Sequence, residues 1–403
     1  MSFAKKLLPL CDYIYVIVIE FFDNILYHYS WQGIALSGVL LLLFFVQLYY
    51  YAIAYYRIYR YRLMRRRKKI AENPPISVIV AVRGENEAFL TEELPVLLHQ
   101  EYDPFEVVVV YVGGDIDYYD ELQRIRDNYS NMRLTRMGGD SRIYISTKQA
   151  LNVGIKSAQY DALLFTTTGA IPRSEQWVAL MSKGFERGMV VAAPAVPQFE
   201  HNNLKTFLMR MVEFQRERNA MACAVNDRLY YAPRSNYGYT RHLYESTRGF
   251  NHLGIDIGDN DLYLQAIATP ERTAVVLSRH SIVVEERPER WSEWMELMRY
   301  YSSTREHYPA AAKTFARREL GSRVLFMLAT ITAVVVLPLE LKLGAIGLLL
   351  LRYLIVVGTS RRVAMRMGQK GIVMRYWIYD LLGPAVEWMI GSKHSHNTPK
   401  LWR

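Results

Sequence analysis

One uncharged stretch near the start of the chain restricts its fold more than any other feature. Residues Ile34 to Tyr56 carry no charged side chain and end in a cluster of tyrosines. About 20 apolar residues suffice to cross a bilayer, and tyrosines favour its headgroup level. The following segment, Arg57 to Lys69, holds eight basic residues and no acid. This asymmetry predicts a retained membrane helix over residues 31–56 and a basic cytoplasmic linker over 57–73.

A second apolar block runs from Val324 to Gly358 and is interrupted by a short turn with Glu340 and Lys342. It predicts two antiparallel helices within residues 322–359, both with cytoplasmic outer ends. Each half is short, and Arg352 lies inside the second half. Two membrane crossings and a re-entrant hairpin therefore both fit this block.

The two ends of the chain are predicted to associate with the membrane as well. Residues 1–30 form a membrane-associated segment, either an amphipathic helix on the outer face or another membrane segment. Residues 360–403 form a basic cytoplasmic tail, in which tryptophans mixed with acids between Tyr376 and Ile390 favour an interfacial helix.

The net charge of +10 comes from the segments next to the predicted membrane helices. Residues 57–69 contribute +8 and residues 360–403 contribute +6, which leaves all other residues at −4. Basic residues next to membrane segments indicate topology and contact with an anionic membrane surface, so we expect no nucleic-acid partner. Two cysteines, Cys11 and Cys223, exclude a disulfide framework and a thiolate metal cluster.

The segment between the membrane elements alternates strands and helices. Continuous β-branched runs predict buried strands at Ile76–Val82, Phe105–Val112 and Ala162–Thr166. Helical spacing of apolar residues predicts helices over Glu87–Gln100 and Thr147–Ala158. This alternation is typical of a doubly wound α/β sheet, whose ligands bind beyond the carboxyl ends of the strands.

The serial order of these segments resembles the membrane-bound branch of the family 2 glycosyltransferases. The resemblance covers residues 74–320, and the chain also ends in Lys400-Leu-Trp-Arg403. The matching pieces are Pro75-Ile-Ser-Val-Ile-Val-Ala-Val-Arg, Leu97-Leu-His-Gln-Glu-Tyr-Asp-Pro-Phe-Glu-Val, Lys148-Gln-Ala-Leu-Asn-Val-Gly-Ile, Tyr160-Asp-Ala-Leu-Leu-Phe, Ile171-Pro-Arg-Ser-Glu-Gln-Trp, Gly258-Asp-Asn-Asp-Leu-Tyr-Leu and Trp291-Ser-Glu-Trp-Met-Glu-Leu-Met-Arg-Tyr.

The resemblance implies an α/β fold, namely a doubly wound, A-type nucleotide-diphosphosugar transferase domain flanked by transmembrane helices. This domain would occupy residues 74–285, and interfacial helices would occupy 286–320. The site residues it implies are Arg83, Glu87, Asp115 and Lys148 for the nucleotide, Asp259 or Asp261 as the catalytic base, and Glu296, Arg299 and Tyr300 on the acceptor side.

The sequence departs from the family pattern at several of these positions. Thr167 and Gly169 stand where the family has the two aspartates of its metal motif. Asn260 stands where the base aligns, and Glu296 begins an acceptor motif that keeps only its arginine. Neutral hydroxyls are poor sole ligands for Mg²⁺ or Mn²⁺. We therefore assign no metal ligand, and such an ion is expected only if the chain is an ordinary family enzyme.

Several of these residues also have structural interpretations. Lys148 could be a solvated residue at a helix start, and Asp115 could close a turn after two glycines. Asp259 and Asp261 precede an apolar run, so either could cap a helix. Trp291 and the aromatic residues that follow it could pack against core or membrane.

Two functions fit the sequence best, and a transport or conduit component that uses the membrane helices is a weaker third, since about three spans make a conduit difficult for a monomer. The first is an inner-membrane, multi-pass glycosyltransferase with a cytoplasmic main domain, which transfers sugar from a nucleotide-sugar to a lipid-linked or polymeric envelope glycan. The second is a catalytically inactive pseudo-glycosyltransferase that acts as a scaffold or regulatory subunit among the subunits of a polysaccharide synthase complex.

Overall fold

The structure is a computed structural model that describes residues 30–138, 145–252 and 258–391. Apart from Ser30, the predicted N-terminal segment lies outside the described residues, and so does the C-terminal Lys400–Arg403 motif. The chain divides into two compact units. The first contains residues 1–52 and 318–356, and the second contains residues 53–317 and 357–403.

The described elements alternate in the order that the sequence predicts. The strands are β1 (Ile76–Arg83), β2 (Phe105–Val112), β3 (Met132–Met137), β4 (Ala162–Thr167), β5 (Ala170–Pro172), β6 (Val190–Ala192), β7 (Ala195–Gln198), β8 (Tyr237–Thr240), β9 (Thr273–Val275) and β10 (Val283–Glu286). The α-helices are α1 (Trp31–Leu48), α2 (Tyr56–Arg60), α3 (Leu63–Arg66), α4 (Leu94–Leu98), α5 (Ile116–Asn128), α6 (Thr147–Ser157), α7 (Trp177–Phe185), α8 (Leu204–Ala224), α9 (Arg241–Ser246), α10 (Leu262–Ile267), α11 (Trp291–Ser302), α12 (Ala310–Val336), α13 (Leu339–Arg366) and α14 (Tyr376–Gly391). Short π-helical turns span Tyr49–Tyr55 and Phe89–Glu93, and 3₁₀ turns span Gly249–His252 and Arg305–His307.

Three helices in the described part of the chain are long and apolar enough to cross a membrane. They are Trp31–Arg60, Ala310–Val336 and Leu339–Arg366. The second begins at Ala310 rather than near residue 322, so the predicted boundary between residues 320 and 322 falls inside one helix. The reason is local: most of the residues from Ala310 to Leu320 are strong helix formers (Ala, Lys, Arg, Glu, Leu), so the helix begins before the apolar run.

The first unit pairs the polar side chains of its apolar helices. Arg352 is buried and donates to Oε1 of Gln47 from Nη2 at 2.9 Å. Nε2 of Gln47 in turn donates to the Ser322 hydroxyl at 2.7 Å. A charge inside an apolar unit requires such partners because hydrocarbon offers none. The arginine that made the second helix ambiguous in sequence is therefore satisfied within the helix packing.

The second unit is built on a seven-stranded sheet in the order β3-β2-β1-β4-β8-β6-β9. Strands β3, β2, β1 and β4 are parallel, so their carboxyl ends meet at one edge. Helix α6 packs on this sheet at Gly154, where a Cβ atom would lie 2.5 Å from Cγ2 of Ile79. The glycine thus allows the close contact that positions the start of α6 near the same edge.

A smaller sheet in the order β5-β10-β7 joins later chain segments to this edge. Glu285 of β10 pairs with Ala170 of β5, and the Glu286 amide donates to the Gly169 carbonyl at 2.8 Å. The loop after β4 is consequently held against residues more than a hundred positions later in sequence.

Candidate functional site

The carboxyl edge of the parallel strands is formed by the turns after β1, β2 and β4. Arg83 pairs with Val112 across β1 and β2, and Ala81 pairs with Thr167 across β1 and β4. The predicted nucleotide residue Arg83 and the altered metal motif therefore lie on neighbouring strand ends. This is the location at which doubly wound sheets bind ligands.

The four predicted nucleotide residues differ in their surroundings. Lys148 is buried in the first turn of α6, which excludes the solvated interpretation. The Arg83 guanidinium donates to the Ile145 carbonyl just before that helix. Asp115 is the N-cap of α5 and accepts from the Tyr118 amide at 2.7 Å. Glu87 is exposed.

The altered metal motif has a carboxyl neighbour that comes from another part of the chain. Gly169 adopts a φ of +75° and donates its amide to Oε1 of Glu93 at 2.9 Å. Oε2 of Glu93 is buried and has no hydrogen-bond partner among the described residues. Burial raises the pKa of Glu93 to about 7, against the hydrogen bond from Gly169 and with help from nearby Glu286.

This arrangement does not fit a divalent cation. Thr167 and Gly169 offer no carboxylate, the Gly169 amide already donates to Glu93, and burial raises the pKa of Glu93 to about 7, which disfavours its charged form. Mg²⁺ and Mn²⁺ prefer charged oxygen ligands. The loop after β4 is thus stabilised by a protein carboxyl group instead of offering carboxylates to a metal.

Glu93 gives the fold a pH dependence. The folded protein holds a proton that the unfolded chain loses above the usual glutamate pKa of 4.5. The free energy of unfolding should therefore be highest below pH 4.5 and fall as the pH rises to about 7. We expect Glu93→Gln to remove this decline and to stabilise the protein at pH 8 by up to about 3 kcal/mol. Thermal unfolding of the detergent-solubilised protein between pH 4 and pH 8 measures the effect.

The exposed neighbour Glu92 provides the matched control. Glu92→Gln should leave the decline of stability with pH nearly unchanged. An equal decline in Glu93→Gln and in the unmodified protein would contradict the assignment to Glu93.

Asp259 is brought to the carboxyl edge by β8. Tyr237, the first residue of β8, pairs with Phe165 near the end of β4, and its hydroxyl donates to Oδ2 of Asp259 at 3.2 Å. Nη2 of Arg234 donates to Oδ1 of Asp259 at 2.8 Å. Asp259 is 1% exposed. The carboxylate is therefore fixed, paired with a cation, and placed beside the strand end that carries Thr167.

Asp261 has a structural role. It is the N-cap of α10 and accepts from the Leu262 amide at 2.6 Å. The hydroxyls of Thr304 and Tyr308 donate to its other oxygen. Burial raises the pKa of Asp261 in spite of these bonds. Asp261 thus has three donors on its two oxygens and caps a helix, whereas Asp259 has two donors and caps no helix among the described residues.

The three residues predicted on the acceptor side have different surroundings in the structure. The Tyr300 hydroxyl accepts from Nη1 of Arg234 at 3.1 Å, so Tyr300 belongs with Asp259. Arg299 is half-buried and its Nε has no hydrogen-bond partner among the described residues. Glu296 is exposed.

A buried charge cluster adjoins Asp259. Arg287 bridges two glutamates: its Nε donates to Glu213 at 2.8 Å, and its Nη2 donates to Glu285. Glu213 also accepts from the indole of Trp294 at 2.8 Å. Burial raises the pKa of Glu217 well above its usual value, and the Ala195 amide donates to it at 2.6 Å. These groups line a cavity that also contains Arg216 and Tyr301.

Sequence analysis missed this cluster and Glu93. One sequence signal was available: Glu213, Arg216 and Glu217 lie within two turns of α8, a long helix whose polar and apolar residues are not separated onto two faces. Such a helix inside a folded domain indicates buried polar partners. Glu285 within the strand β10 and Arg287 just after it are a second, weaker signal.

Structural comparison identifies the fold. The mannosyltransferase PcManGT from Pyrobaculum calidifontis, determined in complex with GDP-Man and Mn²⁺, is similar with a TM-score of 0.57 and 17% sequence identity, over 90% of this chain and 100% of that one. Residues 1–349 of TarS from S. aureus, in complex with UDP-GlcNAc, give a TM-score of 0.40 and 15% identity, over 80% of this chain and 91% of that one. No protein-family model matches the chain, and no curated protein matches it in sequence.

The match to PcManGT confirms the predicted fold class, a doubly wound A-type glycosyltransferase domain flanked by apolar helices. At this sequence identity the similarity concerns the fold. The assignment to family 2 and the roles of the individual site residues stay predictions.

Proposed function

We propose that this protein is a membrane-anchored, family 2-like glycosyltransferase that transfers sugar from a nucleotide-diphosphosugar to an envelope or exported glycan. The observation that carries the proposal is the position of Asp259. Its hydrogen bond with Tyr237, which pairs with Phe165, fixes a buried carboxylate beside the end of β4. A carboxylate there can accept the proton of an acceptor hydroxyl while the sugar is transferred.

The nucleotide would bind at the adjacent strand ends. Lys148 and Arg83 supply two cations at this edge, and PcManGT, which shares the fold, binds GDP-Man. Basic side chains can stabilise the charge that develops on a departing diphosphate. Because Thr167 and Gly169 do not fit a metal ion, we propose that these cations do so without carboxylate-bound Mn²⁺ or Mg²⁺.

A nucleotide-sugar binding panel tests this proposal on the purified full-length protein. We expect saturable binding of one or more nucleotide-sugars that is unchanged by a chelator. Lys148→Ala should weaken binding at least about 10-fold, the usual consequence of losing one charge-assisted phosphate contact. Lys183→Ala, on α7, is the control and should bind normally. No binding with or without Mn²⁺ would refute the proposal, and strict dependence on Mn²⁺ would refute its metal-independent form.

A scaffold role is the second candidate, and one observation favours it. Arg234 pairs with Asp259, and three donors occupy Asp261, so neither carboxylate is without partners. A pseudo-glycosyltransferase would bind a nucleotide-sugar without turnover and would co-purify with an active synthase subunit. Transfer activity in the isolated chain would exclude this candidate.

The membrane location is part of the same proposal. Three helices are suited to span a membrane, and the basic residues 57–69 directly follow the first. By the positive-inside rule the main domain would face the cytoplasm of an inner membrane.

A further inference from the structure

A cavity in the second unit has no role in the proposed reaction. It lies between α8, α11, the start of α12 and α14 and has a volume of about 90 Å³. Most of its wall is apolar or aromatic. Its lining includes Arg216, Tyr231, Tyr301, Arg305, Lys313 and Glu387.

Arg216 is the unusual group in this wall. Its guanidinium lies 4.5 Å from the ring centre of Tyr231 and 5.0 Å from that of Tyr301. It has no hydrogen-bond or ion-pair acceptor among the described residues, whereas the nearby Arg234 and Arg287 each pair with a carboxylate. Two aromatic rings thus hold a cation in place while its N–H donors remain available.

Arg216 also places this cavity near the candidate base. It lines a second cavity that contains Glu213 and Arg287, and a third cavity that contains Asp259. Arg216 is therefore shared by the wall of this cavity and the wall of the cavity that contains Asp259.

The charged residues that line this cavity favour an anionic ligand. Arg216, Arg305 and Lys313 are its cations, and Glu387 is the only carboxylate among its described lining residues. The Tyr379 hydroxyl already donates to Glu387 at 2.6 Å, which reduces its repulsion of a second anion. A phosphate group suits this set because a guanidinium can bind two of its oxygens at once.

The same cavity is bounded by helices that are suited to lipid. Helix α14 lines it with Glu387 and Ile390 and exposes Trp377, Leu381 and Trp388 elsewhere on its surface. Exposed tryptophans on an amphipathic helix are typical of the membrane interface. Helix α12 lines the cavity near its start and continues as one of the candidate membrane spans.

We propose that this cavity binds the phosphate headgroup of a lipid and that Arg216 is the principal phosphate-binding residue. The apolar wall would contact the first part of the lipid chain. The inference rests on the proposed function in one respect: a lipid held there would be the acceptor, or would carry it, and would be presented to Asp259.

Lipid binding to the full-length, detergent-solubilised protein tests the proposal by native mass spectrometry and thermal shift. The probes are phosphatidic acid, phosphatidylcholine with the same acyl chains, and inorganic phosphate. We expect saturable binding of phosphatidic acid, weaker binding of phosphatidylcholine, and competition by inorganic phosphate only at much higher concentration. Equal binding of the two lipids would overturn the proposal. Inorganic phosphate that binds as tightly as phosphatidic acid would overturn the lipid as the source.

Variants of Arg216 assign the binding to this cavity. Arg216→Gln should lower the affinity for phosphatidic acid at least about 10-fold. Arg216→Lys should retain part of it, because lysine keeps the charge but lacks the planar fork. Arg124→Gln, an exposed arginine on α5, is the control. Unchanged affinity in Arg216→Gln would overturn the assignment.

The test of lipid binding can fail independently of the test of the proposed function. Nucleotide-sugar binding is measured on the same preparations, and it also shows that the Arg216 variants are folded. Loss of lipid selectivity with intact nucleotide-sugar binding refutes only this inference. Absence of nucleotide-sugar binding together with Arg216-dependent lipid binding refutes only the glycosyltransferase proposal.

Discussion

Replacing Asp259 by asparagine is expected to lower the rate of sugar transfer by about 10²–10⁴-fold, the usual contribution of a general base. Asparagine keeps the shape of the side chain and can still accept from Arg234 or Tyr237, but it cannot take the acceptor proton. Nucleotide-sugar binding should change little, because Lys148 and Arg83 are untouched. Transfer rates and binding measured on the same preparation separate the two effects.

The buried pair with Arg234 makes folding a necessary control for this variant. Asp259→Asn leaves Arg234 charged next to a neutral amide, and breaking a buried pair can cost about 3–5 kcal/mol. Thermal unfolding must therefore accompany the rate measurement. Asp120→Asn, an exposed acid on α5, should leave both rate and stability unchanged. Full transfer activity in a folded Asp259→Asn protein would rule out Asp259 as the base.

Replacing Arg287 by methionine is expected to lower the free energy of unfolding by about 3–5 kcal/mol. Arg287 separates Glu213 from Glu285, and all three side chains are buried. Without the guanidinium, two carboxylates face each other in a low-dielectric site, and one of them must take up a proton. The loss should therefore be larger at pH 8 than at pH 5, because protonation costs less in acid.

The triple variant with Glu213→Gln and Glu285→Gln provides the matched control. It removes both carboxylates together with the guanidinium. Its amide oxygens can still accept from Trp294 and Ser235, which donate to Glu213 and Glu285 in the unmodified protein. Most of the lost stability should return, and the added pH dependence should disappear. Denaturant unfolding of the solubilised protein measures both. Equal destabilisation of the single and triple variants would show that charge pairing is not the cause.

The sheet could be predicted largely from sequence. Continuous runs such as Ile76–Val82 and Phe105–Val112 are apolar at nearly every position, the pattern of a strand buried on both faces. The helix starts are equally local: Ser146 and Gln149 form a capping box at α6. Helix α12 begins at Ala310, before the predicted boundary near residue 322, because helix-forming residues precede the apolar run on which the prediction relied.

The candidate site was only partly predictable. Arg83 and Lys148, and the choice between Asp259 and Asp261, follow from motif order, and only the structure shows that Asp261 caps α10 while Asp259 pairs with Arg234. Glu93 was missed because the sequence of its helical turn does not indicate that its side chain contacts the loop after β4. Arg216 was missed because its significance is the lack of a carboxylate partner, which no sequence pattern records.

The sequence by itself determined the three long apolar helices and the order of strands and helices, because both depend on hydrophobic runs and periodicities within about 20 neighbouring residues. Only the tertiary structure decided which charges meet. Gly169 contacts Glu93, Asp259 contacts Arg234, and Arg216 lies between Tyr231 and Tyr301. These contacts are set by the crossovers and registers of the sheets, and burial then decides which of the charges are paired and which keep donors for a ligand.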